Sequence, residues 1–270
     1  MKLSIIIANY NTSKLTIDCI NSVFENRPKC SFEVIVVDDA SPDGSSKKLI
    51  ELQNKYKQSL AGRDGKRLKV LLNLKNVGYV RSNNRGLLKS KGEYKLLLNS
   101  DTLVRQNSID ELIAFAEKTS DVGVVGSRLL NKDGSIQDSC YDFPTVWNAI
   151  GYKKFVPNGE EPTAVDIVVG ASFLITPKAY KLVGRLSEKY KSYFEDFDYC
   201  RETKKKGLQV YYNPKSVVTH FHGESFKQLY GKDNSWKKLI PSSIAYHGLI
   251  SHYLIFIVNW TYQKIQKLFS

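Results

Sequence analysis

No run of uncharged apolar residues in this chain approaches the roughly 18 to 20 that a membrane-crossing helix needs, so the expectation is a soluble protein or one attached at most to a membrane surface. Cysteine is sparse and scattered. Cys19, Cys30, Cys140 and Cys200 form no CxxC pair, which excludes a zinc ribbon or a dense disulfide framework and fits a reducing cytosol. No GxGxxG turn follows the first apolar run and no GxxxxGKS or GxxxxGKT loop occurs, which removes the phosphate cradles of nicotinamide-dependent oxidoreductases and P-loop ATPases. No internal repeat is present. Acids are the minority charge, 27 Asp and Glu against 40 Lys and Arg in 270 residues, for a net charge of +13. That excess suits nucleic acid, a nucleoside diphosphate, an anionic headgroup or a merely solvated surface, and charge alone does not choose. With 42% hydrophobic and 25% charged residues the composition is globular, not collagen-like, disordered or coiled-coil.

The N-terminal Lys2 and the run Leu3 to Ala8 look like the start of a leader, but the run stops at Asn9-Tyr10-Asn11 and reads as a buried strand. Leu3 to Ala8, Glu33 to Val37, Leu68 to Leu72, Tyr94 to Leu98 and Val122 to Val125 predict strands, with helices at Ser13 to Asn26 and near 44–58, 80–91 and 107–119. This alternation predicts an α/β fold with a central, mainly parallel sheet covered on both faces. Residues 130–165 form a long segment rich in Gly, Pro, Asp and Asn. Regular structure returns at Ile167 to Ile175, in a helix that follows Phe194 to Tyr199 and runs to Lys206, closed by Gly207, and in short strands at Leu208 to Tyr212 and Val217 to His220.

Ligands of such sheets collect beyond the carboxyl ends of the strands, where Asn9-Tyr10-Asn11, Asp38 to Gly44 and Asn99 to Thr102 lie. Asp101 can hold a divalent cation or cap the helix near Asn107. Asp38 and Asp39 can accept hydrogen bonds from a base or ribose, or build a turn on Ser41-Pro42-Asp43-Gly44. In Glu195-Asp196-Phe197-Asp198, helical spacing puts Glu195 and Asp198 on one face and Asp196 elsewhere. Acids in a first helical turn favour its dipole, and a desolvated one can serve as general base toward an alcohol. His220 and His222 share a strand face if the strand continues, and can then approach a metal or phosphate.

Taken in order, Asn9-Tyr10-Asn11, Val37 to Ser45, Asn76 to Tyr79 with Asn84-Arg85-Gly86, Leu98 to Asp101, and Glu195-Asp196 resemble the family 2 nucleotide-sugar glycosyltransferases of the GT-A fold, a Rossmann-like fold. Asp133 to Gln137, Ser139, Phe143-Pro144-Thr145, Gly170-Ala171, His220, Gly223 and Ser225 are similar to the rhamnosyltransferase-like branch, which assembles bacterial O-antigens, capsules and cell-wall linkers. The resemblance implies a GT-A domain over 1–226, with a nucleotide-sugar half at 1–128 and an acceptor half at 129–226, followed by a C-terminal helical extension at 227–270.

It also implies inverting transfer from a dTDP- or UDP-type sugar, with Mg²⁺ or Mn²⁺ as cofactor. Asp38 and Asp39 then belong to the nucleoside pocket, with Ala8 and Tyr10 near the base. Gly78, Arg81 and Asn84 belong to the donor loop, from which Arg81 can reach the base or diphosphate or serve only the surface. Asn99, Ser100 and Asp101 occupy the place of the DxD motif, with Asn99 replacing its first Asp and Asp101 as metal ligand. His220, 24 positions after Asp196, completes the metal sphere in preference to His222. Asp196 is the base and Glu195 its substitute.

Residues 227–270 carry six Lys and one Asp around the apolar, aromatic stretch Gly248 to Trp260. Such a segment lies in a membrane interface or packs on the catalytic domain or a homodimer partner. The expected acceptor is a glycan or polyprenyl-linked saccharide met in the cytoplasm, at the inner membrane face; nucleic acid is not an expected partner. The competing readings are a catalytically weak sugar-nucleotide- or nucleic-acid-binding module and a nucleotidyltransferase.

Overall fold

The computed structural model describes residues 1–59, 67–150, 154–221 and 235–268. His222, Gly223, Ser225 and the boundary at 226 lie outside the described residues. The first half alternates as expected: β1 (Leu3–Asn9), α1 (Ser13–Glu25), β2 (Phe32–Asp38), α2 (Ser45–Ser59), β3 (Leu68–Leu72), α3 (Tyr79–Lys89) and β4 (Tyr94–Leu98). Then come β5 (Thr102–Val104), α4 (Ser108–Lys118), β6 (Val122–Leu130), β7 (Ile136–Gln137), β8 (Cys140–Tyr141), β9 (Thr163–Val165), β10 (Ile167–Val168) and β11 (Ser172–Ile175). The remaining elements are α5 (Pro177–Val183), α6 (Glu195–Lys205), β12 (Gln209–His220), α7 (Ser235–His247) and α8 (Leu249–Leu268).

One sheet runs β3-β2-β1-β4-β11-β6-β12-β5. Its first four strands are parallel, β11 is antiparallel to both β4 and β6, and β12 runs parallel to β6. Strand alternation sends Leu3, Ile5 and Ile7 into one core with α1 and α4, and Ile6 into the opposite core with Val80 and Leu87 of α3. These strands are mostly apolar on both sides because both faces are covered. On the second face α3 lies so close that a Cβ at Gly86 would come within 2.4 Å of Ile6 Cγ2.

Three sequence expectations are corrected. The segment Ile167 to Ile175 splits into β10 and β11 at Gly170-Ala171, because the two strands join different sheets. Leu208 to Tyr212 and Val217 to His220 are one strand, β12, whose register against β6 shifts between Asn213 and Val217. Pro214 lies in that irregularity and has no ladder N–H to give. Asp101 caps no helix, since β5 intervenes and Asn107 takes the N-cap position of α4 with φ 60°. No described helix is long and apolar enough to cross a membrane.

Candidate active site

The polar ends of β1, β2 and β4 gather at one edge of the sheet, as the topology requires. Asn9, buried at the end of β1, donates from Nδ2 to Asp38 Oδ1 at 2.5 Å and accepts from Thr12 and Thr16. Asp38 is 0% exposed and also accepts from Ser41 N–H, Ser41 Oγ and Ser46 Oγ. Its carboxylate therefore builds the Ser41 turn. Asp39 accepts from Asn73 Nδ2 at 2.7 Å and from the N–H groups of Val77 and Gly78 at 2.9 and 2.8 Å. Gly78 reaches that carboxylate with φ +91°, a conformation side chains resist, and so opens α3. Ala8 and Tyr10 are partly exposed on the rim of this loop cluster.

Within α3, Asn84 is buried and bracketed by Leu186: its Nδ2 donates to Leu186 O at 2.8 Å and its Oδ1 accepts from Leu186 N–H at 3.0 Å. Arg81 is exposed and paired with Glu188 at 3.2 Å. Both residues thus tie α3 to the segment ahead of α6.

β5 decides the next arrangement. It pairs antiparallel with the end of β12, setting His220 opposite Thr102, and Phe221 N–H donates to Asp101 O at 2.9 Å. His220 Nε2 thereby lies 3.5 Å from Asp101 Oδ1, with both side chains buried. Gln137 Nε2 donates to Asn131 Oδ1 at 2.9 Å, which leaves Gln137 Oε1 facing His220 Nδ1 at 2.8 Å. Nδ1 is then the donor, and Nε2 is the nitrogen turned toward Asp101. A carboxylate oxygen and an imidazole nitrogen so placed fit a hard divalent cation. Among the described residues no group of three or more His, Cys, Asp and Glu comes together to hold a metal. A cation here would take Asp101 and His220 as ligands, and water and diphosphate oxygens are the usual further ligands of Mg²⁺-type ions. Ser100, between Asn99 and Asp101, is buried with its Oγ 3.4 Å from Thr12 Oγ1.

The second acidic group sits at the head of α6. Tyr193 and Phe194 both take φ 66°, two successive left-handed residues without glycine, immediately before Glu195. Such strain concentrates at functional sites. Asp196 Oδ2 accepts from Gly170 N–H and its Oδ1 from Phe197 N–H, each at 2.9 Å. Burial raises the pKa of Asp196, while these two N–H groups and the charge of Lys154 oppose the rise. Burial raises Glu195 further, and the adjacent charge of Asp196 adds to it. Glu195 Oε2 is buried with no hydrogen-bond partner. The anion of the pair therefore resides on Asp196, where N–H donors stabilise it, and the proton on Glu195.

Asp198, three positions on from Glu195, accepts from Lys189, Tyr190 and Arg201 at 3.1, 3.1 and 2.7 Å.

Asp101 and the acid pair all lie within electrostatic reach of Tyr79. Its hydroxyl donates to Asn99 Oδ1 at 2.8 Å, burial pushes its phenol well above the ordinary value, and the charges of Glu195, Asp196 and Asp101 push the same way. A backbone link runs parallel: Asn99 N–H donates to Ala171 O at 3.0 Å, and the neighbouring Gly170 holds Asp196. Tyr79, Gln137 and Gly170 thus join the site, although sequence reading gave them no role of their own. Each stands inside a motif quoted above, which was the available signal. Lys154, whose pKa is lowered by burial and which feels the charge of Asp196, had none.

A mostly parallel α/β sheet with acids at the ends of its first strands is the arrangement of the GT-A fold. Residues 4–181 match glycosyl transferase family 2, and the chain belongs to that family. It is 23% identical over 251 residues to an uncharacterized glycosyltransferase of Haemophilus influenzae, covering 91% of this chain and 74% of that protein. It is 31% identical over 137 residues to the poly(ribitol-phosphate) beta-N-acetylglucosaminyltransferase TarS of Staphylococcus aureus, covering 50% of this chain but 22% of TarS. Among solved structures, GalNAc-T7 with UDP, GalNAc and Mn²⁺ superposes with a TM-score of 0.65 at 19% identity, over 82% of this chain and 44% of that one. A mannosyltransferase of Pyrobaculum calidifontis with GDP-Man and Mn²⁺ gives 0.63 at 16% identity, over 95% of this chain and 64% of that one.

Proposed function

We propose that the chain is an inverting glycosyltransferase that moves a sugar, rhamnose first among the candidates, from a dTDP- or UDP-linked donor to a hydroxyl of a glycan or polyprenyl-linked saccharide in cell-surface polysaccharide synthesis. The observation that carries this reading is the juxtaposition of Asp101–His220 and Glu195–Asp196 around Tyr79. In the reaction the acceptor oxygen bonds to the anomeric carbon as the bond from that carbon to the diphosphate breaks, and the electron pair leaves with the diphosphate. Asp196 takes the hydroxyl proton, and single displacement inverts the centre. Glu195 stays protonated beside it. Asp101 and His220 would hold Mg²⁺ or Mn²⁺, which when bound supplies Lewis-acid stabilisation of the leaving charge. The Mn²⁺ in the GalNAc-T7 and mannosyltransferase structures supports that choice of ion. Asp38 and Asp39 act by shaping the loops at 41–46 and 73–78 around the nucleoside, with Ala8 and Tyr10 on the rim. The domain boundary is placed at 226, and the enzyme works at the inner membrane face.

A UDP-N-acetylhexosamine donor is the second reading, favoured by the likeness to TarS, whose structure with UDP-GlcNAc matches at TM-score 0.59. The test is release of free nucleotide from dTDP-rhamnose and from UDP-galactose, UDP-glucose and UDP-GlcNAc, with Mg²⁺ or Mn²⁺ and with Asp101→Ala as control. Release that depends on Asp101 is expected from one donor; salt-sensitive RNA binding without release would replace the enzyme by a binding module.

A further inference from the structure

The C-terminal helix pair is the part of the molecule that the transfer reaction leaves unused. On α8, Ile250, Leu254, Ile257 and Ile265 recur along one face, with Trp260 and Lys264 at its border. All six are exposed, Ile250 to 77% and Ile257 to 55%. A contiguous exposed apolar face of this length marks a docking surface. The opposite side of the helix is already occupied, since Ser243 Oγ of α7 bonds His252 Nδ1 of α8 at 2.8 Å.

Charge identifies the occupant. Residues 235–268 contain Lys237, Lys238, Lys264 and Lys267 and no acid. An ordinary solvated or protein-docking face carries both signs. A second copy meeting this stripe about a two-fold axis would bring lysines to lysines with no acid to pair them. An anionic lipid surface complements both the apolar stripe and the uniform positive charge. The Lys264 ammonium lies 5.6 Å over the Trp260 ring, so a cation and an amphipathic indole stand together at the border, where headgroups meet acyl chains. The helix is not apolar enough to cross a bilayer, so it can only lie along one.

The placement of α7 connects this surface to the chemistry. Ser242 Oγ donates to Ser192 O at 2.7 Å, the Tyr246 ring packs 5.3 Å from Phe194, and the Arg201 guanidinium sits 4.0 Å from the Tyr246 ring centre. These contacts hold the strained segment ahead of Glu195 and the helix that carries Asp196. α8 begins two residues after His247.

We propose that α8 docks flat on an anionic lipid surface through the Ile250–Ile257–Ile265 stripe. Through α7 it then keeps the Asp196 side of the site at the membrane from which the acceptor is drawn. The second part rests on the glycosyltransferase reading; the first does not.

The test is flotation of the full chain with phosphatidylcholine vesicles, with and without phosphatidylglycerol, with sedimentation velocity on the same samples. The wild type is expected to float with the anionic vesicles and to be released by salt. The double variant Ile250→Glu, Ile257→Glu should lose about tenfold or more in bound fraction, and Lys264→Glu a smaller amount. Both alter exposed side chains, so nucleotide release in solution should be unchanged. Wild type that stays with the soluble fraction, or a double variant that floats equally well, overturns the proposal. So does a wild-type dimer that the double variant dissociates, since that gives the stripe to a second copy. Flotation by a chain inactive toward every donor upholds the surface and removes the glycosyltransferase reading alone.

Discussion

Asp38 accepts four hydrogen bonds from Asn9, Ser41 and Ser46, whereas Glu195 at the head of α6 leaves a buried oxygen with none. Both are acids out of water, and the donors around them separate their roles. Fixed N–H and O–H groups saturate the Asp38 carboxylate and make it a turn-builder, as three donors do for Asp39. Around Glu195 and Asp196 the donors are too few for two charges, so the pair keeps a proton. The saturated acids at the strand ends hold loops in place, and the pair at the head of α6 is the one short of donors.

The largest effect that tests the contrast is Asp196→Asn, which should lower transfer by about 10³-fold, the usual worth of a general base, while donor affinity changes less than about twofold. Rapid-quench transfer and nucleotide titration measure the two separately, and loss of donor binding in a folded variant would move Asp196 out of the base role. Next, Asp38→Ala strands buried donors and should cost about 3 kcal/mol of stability in denaturant unfolding. Unchanged stability with lost nucleotide affinity would break the comparison, making Asp38 a ligand group.

A smaller, pH-dependent effect belongs to Glu195. Its pKa is raised on folding by burial and then by the Asp196 charge, so between its ordinary and raised values the native state holds a proton that the unfolded chain has lost. Stability therefore falls as pH rises through that window. Glu195→Gln should remove the fall and leave the protein about 1–2 kcal/mol more stable at the alkaline end. With Asp196 already the anion of the pair, transfer by the wild type should stay level as Glu195 gives up its proton, and a steep rise of kcat over the same window would move the base role to Glu195. The smallest effect is Arg81→Ala. Its exposed pair with Glu188 should be worth under about 1 kcal/mol, and a tenfold loss of donor affinity instead would show the guanidinium reaching the diphosphate.

The sequence was most legible where one local rule sufficed. Leu3 to Ala8 and Tyr94 to Leu98 are short, apolar but for Ser4 and Lys95, and bounded by polar residues, so their strands and ends follow directly. The long Gly-, Pro- and Asn-rich stretch after 130 was opaque, because β7, β8 and β9 there are two or three residues long and exist only through partners distant in sequence. The helical rule set Asp196 apart from Glu195 and Asp198 but could not name the partners of each acid, since Gly170, Lys189 and Tyr190 come from outside the helix.

Alternating apolar runs and helix patterns settled by themselves that this chain forms a parallel α/β sheet with acids at the strand ends, because burial of period and length is a local property. Tertiary structure alone decided which acids are saturated by fixed donors and which are left short of them. The pairing of β5 with β12 sets His220 beside Asp101, and the turn at Gly170 brings an N–H to Asp196. Both depend on groups tens to a hundred residues apart, and their hydrogen bonds, more than the carboxylates themselves, fix where charge and proton reside.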